Sequence, residues 1–595
     1  MEHLVKLKNW WIGCPNVWFG STESDDMEIT RKFEHIDSIQ YELDILINLY
    51  DESIGYIIFQ DQISRHISRA KNLPPPYLTN KLDNLIEFVK KFYQLNKTIL
   101  SGYDFCFVLL PLRHTKKFDL ETFVIKETWE KLKALKKNSP DTNTLELINI
   151  YRNYLKASYE RASCGPTYLA TKTESCIDLD KDIIQFTEIY KDILDTNCNQ
   201  YLLEQELINP NPNNFKDIIE SVKRLQQHLI KIKPIVSISG GVDSMVLSYL
   251  MKVNNIDFVM THINYANRGE TCEKEKELLE DWANYLGVEL YIRDIYEINR
   301  PDCMEWDLRN LYECYTQDAR FQAYVDTARI KGYEFIPNDS TNGLANGYVV
   351  GLAHNHDDCV ENILTNICSK SKYNNLYGME LFGTNEFNCW DRAGLNKETC
   401  QINFTRPFLK ISKKEIYDFA HSYKIPYLYD STPKWSQRGM IRDLVRPRLI
   451  QWNESIIEGL DELVLTLRES LECVDLLVES WISKIKPFDT LDKKDMVYVI
   501  KYKMSHSVYT SFNVIKIPES ELKPNKIFWS RLFVRLGFKS SSKNLNEVIS
   551  RIVGLKKKFN SNKINLRDLI IVQINKEHQI YFWKCSDQNI IVGFD

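Results

Sequence analysis

The sequence has no Cys-x-x-Cys pair among its 14 cysteines and no Gly-Lys-Ser or Gly-Lys-Thr triplet. It also has no apolar run approaching the roughly 18 residues a membrane span requires. The first absence argues against a cysteine-held iron–sulfur cluster and, with the scattered spacing, predicts reduced thiols. The second argues against a Walker-type phosphate loop, and the third against a helical membrane protein. Met1 to Gly20 carries Trp10, Trp11 and Trp18 but neither an unbroken apolar core nor a small-residue cleavage site, so no secretory signal is read there. The expectation is a cytoplasmic protein with no membrane partner. No sign of charge dominates either: the net charge is −5, so a polyanionic partner would have to meet a local surface.

What is present is enough chain for several cores. At 595 residues the sequence predicts a multidomain protein. From about Trp10 to Gln200 apolar positions recur three and four apart, as in Tyr41 to Tyr50 and Leu82 to Phe92, which predicts an all-α domain over 1–205. Pro74-Pro75-Pro76 breaks it, and Asn209-Pro210-Asn211-Pro212-Asn213 reads as a linker. From Pro234 the pattern alternates strand and helix: Pro234 to Ile238, Asp257 to Ile263, Val288 to Ile292 and Tyr348 to Ala353 are the strands. That alternation predicts a doubly wound parallel sheet over 214–452, with ligands at the carboxyl ends of its strands. Residues 453–595 read as a helical and then α+β region, with closing strands at Leu569 to Ile574 and Gln579 to Lys584.

The first strand runs into Ser239-Gly240-Gly241-Val242-Asp243-Ser244 and then a helix. Glycines between a strand and a helix let backbone N–H groups approach oxyanions, and the helix N-terminus adds partial positive charge. The string resembles the PP-loop of ATP pyrophosphatases, which adenylate an oxygen and release pyrophosphate. In that resemblance Ser239, Gly240, Gly241, Val242 and Ser244 hold phosphate oxygens, and Asp243 helps hold Mg²⁺. A plain strand-to-helix turn would use the same residues.

Further segments narrow the resemblance. His262-Ile263-Asn264-Tyr265-Ala266-Asn267-Arg268-Gly269 ends the second strand, and Ala353-His354-Asn355-His356-Asp357-Asp358-Cys359-Val360-Glu361-Asn362 follows the fourth. Leu376-Tyr377-Gly378-Met379, Arg406-Pro407-Phe408-Leu409, and Asp430-Ser431-Thr432 with Arg438, Arg442 and Pro447 come in order after them. Together these resemble the tRNA(Ile)-lysidine synthetases, PP-loop enzymes with an adenine nucleotide α-hydrolase-like sheet. The resemblance implies a ligase: the C2 oxygen of the wobble cytidine in a CAU-anticodon minor isoleucine tRNA is adenylated by ATP with Mg²⁺. Free L-lysine then displaces AMP. It places His262 at the nucleotide, Asp357 and Asp358 at the reacting groups with Asp358 on the metal, and His354, Glu361, Arg438 and Arg442 toward lysine or tRNA. A helix N-cap with acidic first-turn residues is the bland reading of His354 to Asp358.

Two departures stand out. Where the family has an arginine the chain has Gln317, which cannot replace a guanidinium's charge and leaves Arg320, or Arg309, to compensate. The family's next Arg-Gly is Ser369-Lys370. Rival readings are a 2-thiolating PP-loop enzyme, a catalytically silent tRNA-binding protein, and adenylation of a small acid. Cys314, Cys359 and Cys368 read as core thiols.

Between Trp481 and Lys563 there are 18 Lys and Arg against 6 Asp and Glu, the local basic surface that tRNA would need. Arg531 and Arg535 there alternate with Phe528, Trp529 and Phe533, which read as a core face with the arginines outward, and deletion after about Lys484 is expected to abolish tRNA binding. A homodimer is left open. The first 160 residues, with Trp18-Phe19-Gly20, Phe59 to His66, Arg69 and Leu110 to Thr115, resemble a bacterial helical domain of unknown function. Asp61, Arg65, Arg69, Arg113 and His114 there line a polar site or form buried ion pairs.

Overall fold

The structure, a computed structural model, describes all residues except 19–21, 74–80, 136–140, 163, 172–176, 204–211, 229–231, 334–346, 370–375, 377, 392–395, 431–435, 488–512, 539–540, 561–568, 575–577, 585–588 and 595. Phe19-Gly20, Pro74 to Pro76, Asn209 to Asn211, Lys370, Tyr377, Ser431, Thr432 and Lys563 therefore lie outside the described residues. The chain divides into two units, Met1–Asp357 with Glu380–Ser431, and Asp358–Met379 with Thr432–Asp595.

The first unit opens with helices from Glu2–Ile12 to Thr142–Tyr159. Thr22 and Asp25 form a reciprocal capping box on Glu23–Phe33, and Asp141 caps Thr142–Tyr159, so local sequence sets both starts. Gly55 marks the closest crossing: a Cβ there would meet the Leu4 carbonyl oxygen at 2.2 Å, so the helices Glu2–Ile12 and Tyr50–Ile58 pack backbone to backbone. Tyr41 to Tyr50, read as one helix, instead forms only the turn Leu43–Leu46 before a new helix begins at Tyr50. Leu82 to Phe92 lies inside Lys81–Asn96 as expected.

The helical layer shares a hydrophobic core with the α/β part. Its core of Trp11, Phe59, Phe92, Phe105 and Tyr151 is continuous with Ile295, Ile298, Trp306, Tyr315 and Ala319 from the α/β part. Tyr159 Oη donates to the Glu297 carbonyl oxygen at 2.6 Å, and buried Arg293 pairs with Glu297 and donates to the Cys164 carbonyl. Beyond Tyr159 the chain contributes β1 (Tyr168–Leu169) to the sheet edge. The helices Leu179–Tyr190 and Thr196–Leu203 then bury Phe186, Tyr190 and Cys198 against Leu279, Trp282 and Phe419. These amphipathic helices pack on Glu270–Leu286 and Lys413–Ser422, two helices of the α/β part.

The sheet comprises β1, β2 (Lys233–Ser237), β3 (Val259–Asn264), β4 (Leu290–Asp294), β5 (Tyr348–Gly351), β6 (Phe382–Trp390) and β7 (Lys397–Thr405) in the order β1-β4-β3-β2-β5-β7-β6. The inner strands β4, β3, β2, β5 and β7 are parallel, and both edges are antiparallel. Strands after β2 are added on one side and β5 on the other, so the crevice beyond β2 and β5 is the topological switch point. The hairpin β6–β7 was not predicted. It also corrects the expectation of reduced thiols throughout: Cys389, opposite Glu398, and Cys400, opposite Phe387, share one face and form a disulfide, while ten other described cysteines are free.

In the second unit the helix Ile456–Ile482 leads to an antiparallel sheet of β8 (Lys486–Pro487), β9 (Asn513–Pro518), β10 (Leu569–Gln573), β11 (Gln579–Lys584) and β12 (Asn589–Phe594), in the order β10-β11-β12-β9-β8. Val478, Trp481, Trp529, Leu532 and Phe533 pack on Ile515, Phe582 and Val592, so the aromatics of Lys526–Arg535 are a core face, as expected. Among the described residues no helix is long and apolar enough to cross a membrane.

Candidate active site

The predicted cradle sits at the carboxyl end of β2. Gly240 has φ +80°, and a Cβ on it would lie 2.3 Å from Leu428 Cδ1, so both conformation and space require glycine. Its carbonyl accepts from the Leu428 N–H at 2.9 Å, which pins the turn. Ser244 Oγ donates to the Gly241 carbonyl at 2.9 Å and receives the Ser239 N–H at 3.2 Å. Val242 and Asp243 open the helix Val242–Val253, which has no side-chain cap, so its first N–H groups face the crevice.

His262 at the end of β3 is buried and braces this loop from behind: Nδ1 donates to the Ile238 carbonyl at 3.0 Å. Burial lowers its pKa, so it is a neutral hydrogen-bonding group. From the end of β5, buried Asn355 reaches Asp243, its Nδ2 donating to Oδ1 at 2.9 Å. Lys413 Nζ lies 2.5 Å from Asp243 Oδ2. Lys413 belongs to none of the motifs read in the sequence, although Ser412 and Glu415 form a capping box that fixes it as the first residue of Lys413–Ser422. Asp357 lies in the first turn of His356–Cys368, and His354 and Asp357 are both half-buried.

Arg320 projects from the long helix Arg309–Ile330 to the hydroxyl of Tyr265, just beyond β3, with its charge also felt by Tyr324. Tyr324 Oη and Ser237 Oγ are 2.7 Å apart at the end of β2, so Arg320 is tied to the crevice. Gln317 is exposed, and Arg309 is exposed and paired with Glu313 at 2.7 Å. Of the two candidates to compensate for Gln317, the one tied to the crevice is Arg320. Cys314 and Cys368 are exposed and Cys359 is half-buried, which corrects their reading as core thiols.

In the second unit Asp358 and Glu361 stand on one face of His356–Cys368. Arg442 Nε donates to Glu361 Oε1 at 2.7 Å, and its Nη2 is 4.0 Å from Asp358 Oδ1. Arg442 lies in the π turn Ile441–Val445. Glu361 is 1% exposed, and its Oε2 has no hydrogen-bond partner among the described residues. Arg438 is exposed in the turn Gln437–Met440. Arg531 makes a two-pronged pair with Asp475, and Arg535 lies 3.3 Å from Glu479, so both are turned to Ile456–Ile482 rather than left free.

Residues 214–452 match the family model described as the PP-loop domain. The tRNA(Ile)-lysidine synthase of Mesoplasma florum is 26% identical over 315 residues, 50% of this chain and 68% of that protein. That of Staphylococcus aureus is 26% identical over 269 residues, 44% of this chain and 54% of that protein. Among solved structures, the U34-tRNA thiolase NcsA from Methanococcus maripaludis with its [4Fe-4S] cluster aligns at 16% identity with a TM-score of 0.29, over 43% of this chain and 80% of that one. Residues 214–452 thus match the PP-loop domain, in a chain that is similar over about half its length to curated tRNA(Ile)-lysidine synthases.

Proposed function

We propose that the protein ligates free lysine to C2 of the wobble cytidine in a CAU-anticodon isoleucine tRNA, through an adenylated tRNA intermediate. The observation that carries this is the cradle at the switch point, where Asp243, Asn355 and Lys413 converge beside glycine-lined backbone N–H groups. Similarity to proteins named tRNA(Ile)-lysidine synthase supports the substrate.

In this reading Ser239, Gly240, Gly241 and Ser244 hold the departing pyrophosphate, and Lys413 moves from Asp243 to phosphate oxygens when ATP enters. Asp243 is a hard oxygen donor suited to Mg²⁺, which takes one or two carboxylates plus substrate phosphates. When bound, that ion would neutralise charge on the leaving group. Arg320 stabilises charge on the adenylated oxygen, and His262 keeps the loop in place. Glu361, with one oxygen tied to Arg442 and the other without a hydrogen-bond partner among the described residues, takes the lysine ammonium. Arg438 and the basic carboxyl-terminal region hold tRNA phosphates. No Cys-x-x-Cys pair supports the thiolating alternative.

Purified protein given ATP, Mg²⁺, labelled lysine and unmodified CAU-anticodon isoleucine tRNA is expected to transfer label to tRNA and release AMP. Absence of transfer beside an active control enzyme refutes the lysidine reading. ATP–pyrophosphate exchange without transfer would retain the adenylating half alone.

A further inference from the structure

The amino-terminal helices hold charged side chains for which the PP-loop chemistry has no use. Two groups are closed ion pairs. Asp26 accepts from His66 Nδ1 at 2.6 Å and from Arg69 Nε and Nη2 at 2.7 and 2.8 Å. Asp61, 4% exposed in the π turn Phe59–Ile63, accepts from Arg65 Nη2 at 3.1 Å and His114 Nδ1 at 2.9 Å. For these residues the ion-pair reading is sufficient.

Arg113 differs. It is 3% exposed, its guanidinium donates to Ser158 Oγ at 3.3 Å, and among the described residues no carboxylate lies within ion-pair distance. Its Nε is buried without a partner. The Tyr154 ring, 5.0 Å from the guanidinium carbon, offsets part of the charge, yet the Tyr154 hydroxyl is also buried and unpartnered. Arg161 lies at the surface within electrostatic range: partial burial and then the charges of Arg113 and Arg65 lower its pKa. His114, whose Nδ1–H donates to Asp61, presents Nε2 with no partner among the described residues. A buried guanidinium without a counter-ion is strongly unfavourable, and π turns recur where a helix is bent to serve a ligand. Arg113 fits a lock between helices poorly and an anion receptor well.

We propose that Arg113, Arg161 and His114 form a binding site for a small oxyanion, the phosphate or carboxylate group of a metabolite-sized molecule, built from residues separate from the PP-loop. The guanidinium donors take the anion, the Tyr154 hydroxyl adds a donor, and His114 Nε2 accepts a hydrogen bond from the rest of the ligand.

The test is calorimetric titration of the full-length protein, presaturated with a non-hydrolysable ATP analogue to fill the cradle, with inorganic phosphate and separately with succinate. One equivalent of at least one anion is expected to bind, with affinity reduced tenfold or more in Arg161→Gln and Arg113→Gln. Arg161→Gln alters a surface residue and keeps the test valid if Arg113→Gln fails to fold. Failure of both anions to bind at millimolar concentration overturns the proposal. So does binding that Arg161→Gln leaves unchanged. Phosphate-only or succinate-only binding identifies which source supplies the oxyanion.

Discussion

Lys413 Nζ stands 2.5 Å from Asp243 Oδ2 while Asn355 holds Oδ1, so the acid of the PP-loop is neutralised by a residue 170 positions away. An ammonium in that position holds the carboxylate in place without ATP and is ready to contact phosphate when nucleotide enters. Lys413→Met is expected to lower ATP–pyrophosphate exchange by about 10²- to 10³-fold, the usual loss for one preorganised charge contact. Asp243→Asn should lower it further. Near-normal exchange in Lys413→Met would show that the pair is only structural.

Gly240→Ala tests the cradle's backbone. The φ of +80° places an alanine in a left-handed conformation costing about 1 to 3 kcal/mol, and its Cβ would drive into Leu428. Urea unfolding should show a loss of that order, with weaker ATP binding by calorimetry. Gly241→Ala, where the nearest atom to a Cβ is Ser239 Oγ at 3.6 Å, should be better tolerated.

His66, His114 and His262 all have pKa values lowered by burial, partly countered at His66 and His114 by Asp26 and Asp61. The unfolded chain takes up protons at these sites below its ordinary value near 6.5, whereas the folded chain does not until lower pH. Stability therefore rises with pH across this window, by about 1.4 kcal/mol per pH unit per group at most. Melting temperature should fall as pH is lowered from 7 toward 5. His262→Gln, which keeps a donor to the Ile238 carbonyl, should flatten that fall.

The parallel strands were legible because Pro234 to Val236 in β2, Val259 and Met260 in β3 and Tyr348 to Val350 in β5 are buried apolar runs beside the motif residues at Ser239, His262 and His354. The hairpin β6–β7 was not: Asn385, Glu386 and Asn388 lie on an edge strand whose outer face needs no apolar residues. The merged core was equally hidden. Periodicity marks Tyr315 as buried but cannot say that its ring partner is Tyr159, more than 150 positions earlier. Arg442 is marked by the resemblance, while no residue pattern announces its pairing with Glu361, 81 positions earlier.

Arg531 and Arg535 separate charge count from charge available to tRNA. Arg531 is held by both oxygens of Asp475, so Arg531→Ala is expected to cost about 1.5 to 3 kcal/mol of stability and to change the salt dependence of tRNA binding little. Lys543 and Lys557, exposed on the helix Ser542–Asn560, are not restrained in this way. Replacing both with alanine should leave the melting temperature nearly unchanged and lower the slope of log K against log salt by about 2, one per lost phosphate contact. Filter binding of isoleucine tRNA from 50 to 200 mM salt, about the range where such contacts are most visible, reads that slope. An unchanged slope in the double variant would place the tRNA surface elsewhere in the chain, with Arg438 the next residue to replace.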